Sequence, residues 1–242
     1  MEAIAPTPQW LKRILSLMDL TSLNSSDTKE SIAALCQKAV TPNGHVAAVC
    51  CYPEFVSEAA AALKGTPVKI ATVANFPLGT DYMQDVLANI RDAIALGANE
   101  VDVVFPYERY LGGERALAKD LVRECKKVCG KDVILKVILE TGVLNKPSLI
   151  ADASKAVIEA GADFIKTSTG KAEVGATLMA AAVILLTIKE MEMPVGLKVA
   201  GGIREVEDAL EYIDLANKIM GSAWVTPQRF RIGASQLIER LG

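Results

Sequence analysis

Eight short apolar runs recur along the 242 residues, separated by amphipathic segments, and this alternation constrains the fold more than any other feature. The runs are Leu17–Leu20, Val46–Cys51, Val68–Ala74, Val101–Phe105, Val133–Leu139, Phe164–Thr167, Val195–Ala200 and Phe230–Gly233. Each has the length of a strand and is too short for a packed helix. Between most of them apolar residues fall at helical spacing, as in Val86, Ile90, Ile94, or Leu117, Leu121, Val122, Cys125, Val128, or Leu149, Ile150, Ala153, Val157. Strands that alternate with helices form a parallel sheet covered on both faces.

Eight such units favour a closed (β/α)₈ TIM barrel, with an open doubly wound sheet as the alternative. An extra helix over Gln9–Ser16 would precede the first strand and cover the barrel bottom. A chain with 51% hydrophobic side chains can bury a large core, and no Pro/Gly/Ser-rich linker divides it, so residues 1–242 read as a single domain. Charge interrupts the apolar runs well short of a membrane span, and the N-terminus Met1-Glu-Ala-Ile-Ala-Pro6 lacks a basic stretch followed by an apolar one. The expectation is a cytoplasmic protein with no membrane association.

Four of the runs each hold a charge between apolar neighbours: Asp102, Lys136, Lys166 and Lys198. The outer face of a barrel strand is covered by helices, so these groups belong inside, near the C-terminal rim where barrel enzymes assemble their sites. Asp19, between Met18 and Leu20, joins them. An internal echo sets their height. Ala95-Leu-Gly97-Ala-Asn-Glu-Val-Asp102 and Glu159-Ala-Gly161-Ala-Asp-Phe-Ile-Lys166 share a helix end, a capping glycine and a strand, and Asp102 and Lys166 each fall five residues past the glycine. Lys166 is the leading candidate for a nucleophile, because burial can bring a lysine pKa down and leave a free amine. Two plain alternatives stand: an ammonium reaching water at a strand end, and an ion network closing one barrel layer.

Other residue types narrow the chemistry. A single histidine, His45, leaves a Ser-His-Asp relay or histidine-bound zinc without support, so acid and base work falls to lysines and carboxylates. Five scattered cysteines, Cys36, Cys50, Cys51, Cys125 and Cys129, lack C-x-x-C spacing and read as free thiols. Cys125 and Cys129, one helical turn apart, could share a metal, though apolar packing is the simpler role. A net charge of −3 with interspersed signs argues against nucleic acid. Small-residue loops follow three late runs: Thr167-Ser-Thr-Gly170-Lys171, Ala200-Gly-Gly-Ile-Arg204 and Gly233-Ala-Ser235. They are turns in the bland reading and a phosphate site in the functional one, since backbone amides there can converge on an anion.

The strings Met18-Asp-Leu-Thr-Ser-Leu-Asn24, Glu100-Val-Asp-Val-Val-Phe-Pro106, Leu135-Lys-Val-Ile-Leu-Glu-Thr-Gly142, Ala162-Asp-Phe-Ile-Lys-Thr-Ser-Thr-Gly-Lys171 and Gly196-Leu-Lys-Val-Ala-Gly-Gly-Ile-Arg204 resemble deoxyribose-phosphate aldolase over nearly the whole chain. The resemblance implies a metal-independent class I aldolase, without cofactor, that reversibly cleaves 2-deoxy-D-ribose 5-phosphate to D-glyceraldehyde 3-phosphate and acetaldehyde. It implies Lys166 as the Schiff-base lysine, Lys198 as the lysine that keeps it deprotonated, and Asp102 as the relay carboxylate. By the same resemblance Gly170, Lys171, Gly201, Gly202, Gly233 and Ser235 hold the sugar phosphate, Thr21, Cys50 and Lys136 line the site, and Asp19 and Thr167 contact substrate. A phosphorylated deoxy sugar and small aldehydes are the implied partners, and a homo-oligomer, a dimer, is the implied assembly. Some family members end in a tail tyrosine that assists proton transfer, whereas this sequence stops at Arg240-Leu-Gly242, so proton transfer is expected to rest on Asp102, Lys198 and water. A transaldolase-like Schiff-base lyase and a non-catalytic phosphosugar-binding barrel are the rival readings.

Overall fold

The computed structural model describes residues 7–241, so the N-terminal hexapeptide weighed above for export and the final Gly242 lie outside the described residues. Eight parallel strands close into a barrel in which each neighbours the next in sequence and the last pairs with the first. They are β1 Met18–Thr21, β2 Ala48–Cys51, β3 Lys69–Ala74, β4 Glu100–Val104, β5 Ile134–Ile138, β6 Phe164–Lys166, β7 Gly196–Ala200 and β8 Phe230–Ala234. Every predicted run supplies one of them, and closure leaves no unpaired edge, which rules out the open sheet.

Helices occupy the intervals. α1 Pro8–Leu17 precedes β1, and α2 Lys29–Lys38, α3 Val56–Ala62, α4 Met83–Ala95, α5 Arg115–Cys129, α6 Pro147–Glu159, α7 Leu178–Met191 and α8 Val206–Met220 follow the first seven strands. The predicted N-terminal helix is present: the Thr7 side chain caps it by accepting from the Trp10 amide, and Ile14, Leu15 and Leu17 are its buried side. It packs along β8 and α8, and Arg13 donates to the Ser222 carbonyl in the loop that enters β8. Among the described residues no helix is long and apolar enough to cross a membrane. Cys125 and Cys129 lie on the buried side of α5, where burial pushes their thiols up to about 12 and about 11, so both act as small apolar packing.

Register decides what points inward. Residues paired across parallel strands face the same side, so Lys166, Lys198 and Arg231, paired in turn across β6, β7 and β8, share the interior. Asp102 pairs with Lys136 across β4 and β5, and Lys136 pairs with Phe164. Lys166 is therefore two positions beyond the register of Asp102. That is the stagger a closed eight-stranded barrel imposes between alternate strands, so the two side chains meet at one height. The opposite interior wall is small and apolar, built from Ala48, Cys50, Ala71 and Val73 with Leu23 above them.

Gly196 makes room for this interior. A Cβ there would lie 2.5 Å from the Phe164 ring and 2.6 Å from the Arg229 carbonyl oxygen, neither of which can withdraw without moving a strand. Gly196→Ala is expected to destabilise the fold by about 1–3 kcal/mol through overpacking. Denaturant unfolding of the variant checks this, and stability equal to the parent would contradict the close approach.

Candidate active site

Seven ionisable side chains touch one another inside the barrel. Asp102 is fully buried and serves three ammonium groups: Oδ1 accepts from Lys136 at 2.6 Å, and Oδ2 accepts from Lys198 at 2.7 Å and from Lys166 at 3.0 Å. Lys198 also lies 2.7 Å from Asp19, and Lys136 lies 2.7 Å from Glu100 and 3.6 Å from Asp19. Beneath them Arg231 spans both remaining acids, 2.6 Å from Asp19 and 2.9 Å from Glu100, with its guanidinium over the Phe164 ring.

Burial taxes every charge here, and the pairing decides which charges survive. Burial would raise the Asp102 carboxyl, but Lys136, Lys198 and Lys166 together hold it well below the usual range. Asp19 is held low in the same way, burial being outweighed by Lys198 and Arg231. Burial works against the charge of Lys198, yet Asp102 and Asp19 raise its pKa; for Lys136 the opposing pair is Asp102 and Glu100. Lys166 goes the other way. Burial lowers its pKa, the single carboxylate of Asp102 only partly offsets this, and Lys198 adds repulsion. A lysine lowered by burial spends more of its time as the free amine that chemistry requires.

A cavity of about 400 Å³ opens above this cluster, and of the seven groups only Lys166 lines it. Lys166 ends β6, so its strand delivers it to the cavity floor at the C-terminal end of the barrel, while the residues after it form one wall. Thr21 to Asn24 face them, and Gly201, Gly202, Arg204, Gly233 and Ser235 complete the rim. Gly201 has φ +93°, and a Cβ on it would stand 3.0 Å from Gly175 Cα, so the loop after β7 closes against its neighbour only with glycine here. Lys171 turns its ammonium to the Leu23 carbonyl and so ties the loop after β6 to the loop after β1.

The sequence-predicted residues separate into two layers. Thr21, Lys166, Gly170, Lys171, Gly201, Gly202, Gly233 and Ser235 line the cavity. Asp19, Cys50, Lys136, Lys198 and Asp102 are fully buried beneath it. Burial also raises the Cys50 thiol. Thr167 is elsewhere: its hydroxyl donates to the Ala200 carbonyl and accepts from the Ala200 amide, which pins β6 to β7.

Three buried groups escaped the sequence reading. Arg231, between Phe230 and Ile232, carries the same signal as Asp102, Lys136, Lys166 and Lys198, and Glu100 lies two residues before Asp102 and so shares its face. Glu140 follows β5 in the left-handed region, φ +54°, and its carboxylate takes both the amide and the hydroxyl of Thr169. Burial raises its pKa. Nothing in the string Leu139-Glu-Thr-Gly142 announces that conformation.

Comparison with known proteins gives the arrangement a context. The model of the DeoC/LacD family aldolases matches residues 13–236. A protein of Coccidioides immitis, provisionally named a deoxyribose-phosphate aldolase, is 29% identical, with 98% of this chain and 87% of that chain covered and a TM-score of 0.84. Another with the same provisional name, from Toxoplasma gondii ME49, is 25% identical over 97% of this chain and 92% of that chain, with a TM-score of 0.87. The deoxyribose phosphate aldolase of Aeropyrum pernix, described as having a unique tetrameric structure, shares the fold at 24% identity and a TM-score of 0.79, covering 96% of this chain and 90% of that one.

Replacing Lys198 tests the pairing. Lys198→Leu removes a repelling charge and frees the Asp102 oxygen it shares with Lys166, so Lys166 is expected to hold its proton to higher pH while most activity is lost. The midpoint for reductive trapping of a small aldehyde on Lys166 should rise. The leucine dries the pocket and works against the rise, so an unchanged or lower midpoint would mean that Lys198 does not activate its neighbour.

Proposed function

Because the chain belongs to the DeoC/LacD family of aldolases, we propose that it reversibly cleaves 2-deoxy-D-ribose 5-phosphate into D-glyceraldehyde 3-phosphate and acetaldehyde through a Schiff base on Lys166. One observation carries the reading: Lys166 alone of the buried ionic cluster lines the cavity, and its pKa is the one lowered by burial. The strong resemblance of the chain to proteins named for this reaction supports the choice of substrate.

The steps are those of an amine-catalysed aldol cleavage. The neutral amine of Lys166 attacks C1 of the open-chain aldehyde, and loss of water from the carbinolamine gives a protonated imine. A base takes the proton of the C3 hydroxyl. The C2–C3 bond then breaks towards the iminium, which leaves D-glyceraldehyde 3-phosphate and an enamine on Lys166. Protonation of the enamine at its terminal carbon and hydrolysis of the iminium release acetaldehyde and restore the amine. Asp102, 3.0 Å from the Lys166 nitrogen and 2.7 Å from Lys198, is read as the carboxylate that passes protons with a water and stabilises the iminium charge as it forms. Lys171, Arg204 and the amides of the loops at Gly201–Gly202 and Gly233–Ser235 suit the dianionic phosphate. Thr21 lines the cavity that would take the carbon chain, and the small wall of Ala48, Cys50, Ala71 and Val73 packed below keeps water scarce around the amine.

Residues 1–242 are read as one aldolase domain working in the cytoplasm, in keeping with five unpaired cysteines. Copies are taken to associate as a dimer, supported by Leu178, Met179 and Leu186, which α7 leaves exposed.

Incubation with acetaldehyde and borohydride, followed by peptide mapping, tests the chemistry. The expected result is a two-carbon adduct on Lys166, and Lys166→Arg should lose activity by about 10³-fold or more. Label on another lysine would overturn the assignment. A labelled enzyme that cleaves other phosphosugars better than the deoxyribose ester would favour the transaldolase-like reading, and a protein that binds the ester without releasing acetaldehyde would favour a non-catalytic one.

A further inference from the structure

We propose that Arg231 and Glu100, which lie beneath the lysines and away from the cavity, are positioning residues that fix, by charge balance, which base of the barrel interior gives up its proton. The inference rests on the reading of Lys166 as the iminium-forming amine and adds to it what sets its state.

The interior holds three acids, Asp19, Glu100 and Asp102, against four bases, Lys136, Lys166, Lys198 and Arg231, and all seven are buried. Fully ionised, the set would bury one positive charge without a partner, which costs far more than releasing a proton to solvent. Arg231 cannot be the donor, since a guanidinium keeps its proton in proteins, and it contacts two carboxylates. Lys198 contacts two carboxylates and Lys136 three. Lys166 has one, at the longest distance of its three ammonium partners, and it is the base with a path to the cavity. The missing proton falls there.

Other groups around Lys166 do not alter the count. Burial keeps the Cys50 thiol neutral. Glu140 makes no ion pair with any of the four bases, its carboxylate being held by Thr169, and burial raises its pKa towards the neutral form, outweighing the nearby Lys166, which lowers it. Lys171 and Arg204 belong to the cavity rim. Arg231 matters because it is the permanent charge of the four. By occupying Asp19 and Glu100 from below, it leaves too little negative charge for every lysine above it.

Changing the count by one in either direction should therefore move the pH of Lys166 in opposite directions. The readout is the pH at which acetaldehyde and borohydride label Lys166 at half the maximal rate, in folded protein checked by circular dichroism. Arg231→Met leaves three bases to three acids, and the midpoint should rise by about one unit. Glu100→Gln leaves four bases to two acids, and the midpoint should fall. Arg231→Lys keeps the count as long as its ammonium stays charged and should move the midpoint less than Arg231→Met, and the double variant Arg231→Met/Glu100→Gln should return towards the parental value. A purely structural role would lower the folded fraction without opposite shifts. Shifts of the same sign, or none in folded protein, overturn the proposal. If Arg231→Met does not fold, the near-isosteric Glu100→Gln decides alone, an unchanged or higher midpoint counting against it. Parental label on a lysine other than Lys166 would instead overturn the proposed function, and the premise with it.

Discussion

A single carboxylate, Asp102, accepts three lysine ammonium groups in the middle of a closed barrel, and the rest of the structure is arranged so that this is tolerable. Isolated charges at such depth would not survive as charges. They survive here because each acid meets at least two bases and because Arg231 holds Asp19 and Glu100 from the far side. Breaking one contact leaves an unpaired charge rather than a vacancy, so these residues depend on one another far more than a set of surface ion pairs would. The odd base is the one at the open end. The proposed reaction calls for an amine that is neutral before substrate arrives and for a negative neighbour once the iminium has formed, and Lys166, its pKa lowered by burial, with Asp102 at 3.0 Å fits both needs.

The fold contributes geometry that no loop could. Parallel strands keep the side chains of Lys166, Lys198 and Arg231 in register on one face, and the stagger of the closed barrel lifts Asp102 to the height of Lys166. Glycines clear the space. Gly233 lies where a Cβ would come 3.0 Å from the side chain of Lys198, and Gly196 yields its place to Phe164. The part of the interior built from β2 and β3 is small and apolar, so the charged side faces a wall that offers its lysines no hydrogen bonds. That asymmetry keeps Lys166 desolvated while leaving volume above it.

Most of this architecture is legible in the sequence because a barrel strand is buried on both sides: apolar runs mark the strands, and a charge inside a run has nowhere to go but inward. Asp102, Lys136, Lys166 and Lys198 stand out for that reason, and the repeated glycine spacing before Asp102 and Lys166 gives their height. What stays hidden is contact. Arg231 and Glu100 sit in the same kind of run, yet only the closed register shows them reaching under Lys198 and Lys136. Thr167 looks like part of the substrate loop, but its hydroxyl bridges the backbone of Ala200. The left-handed turn at Glu140 comes with a bond of its carboxylate to Thr169, a partner 29 residues away, which no local pattern encodes. Nor does residue type tell which of three buried lysines has its pKa lowered, since that depends on the number and distance of carboxylates around each.

The most direct test is to watch the lysines titrate. With ¹³Cε-labelled lysine and Lys166→Arg to assign the resonance, NMR across alkaline pH reports each ammonium separately. The expected result is that Lys166 loses its proton below the ordinary lysine value of 10.5 while Lys198 keeps its proton above it. A Lys166 that titrates at or above 10.5, or a Lys198 that deprotonates first, would contradict the account.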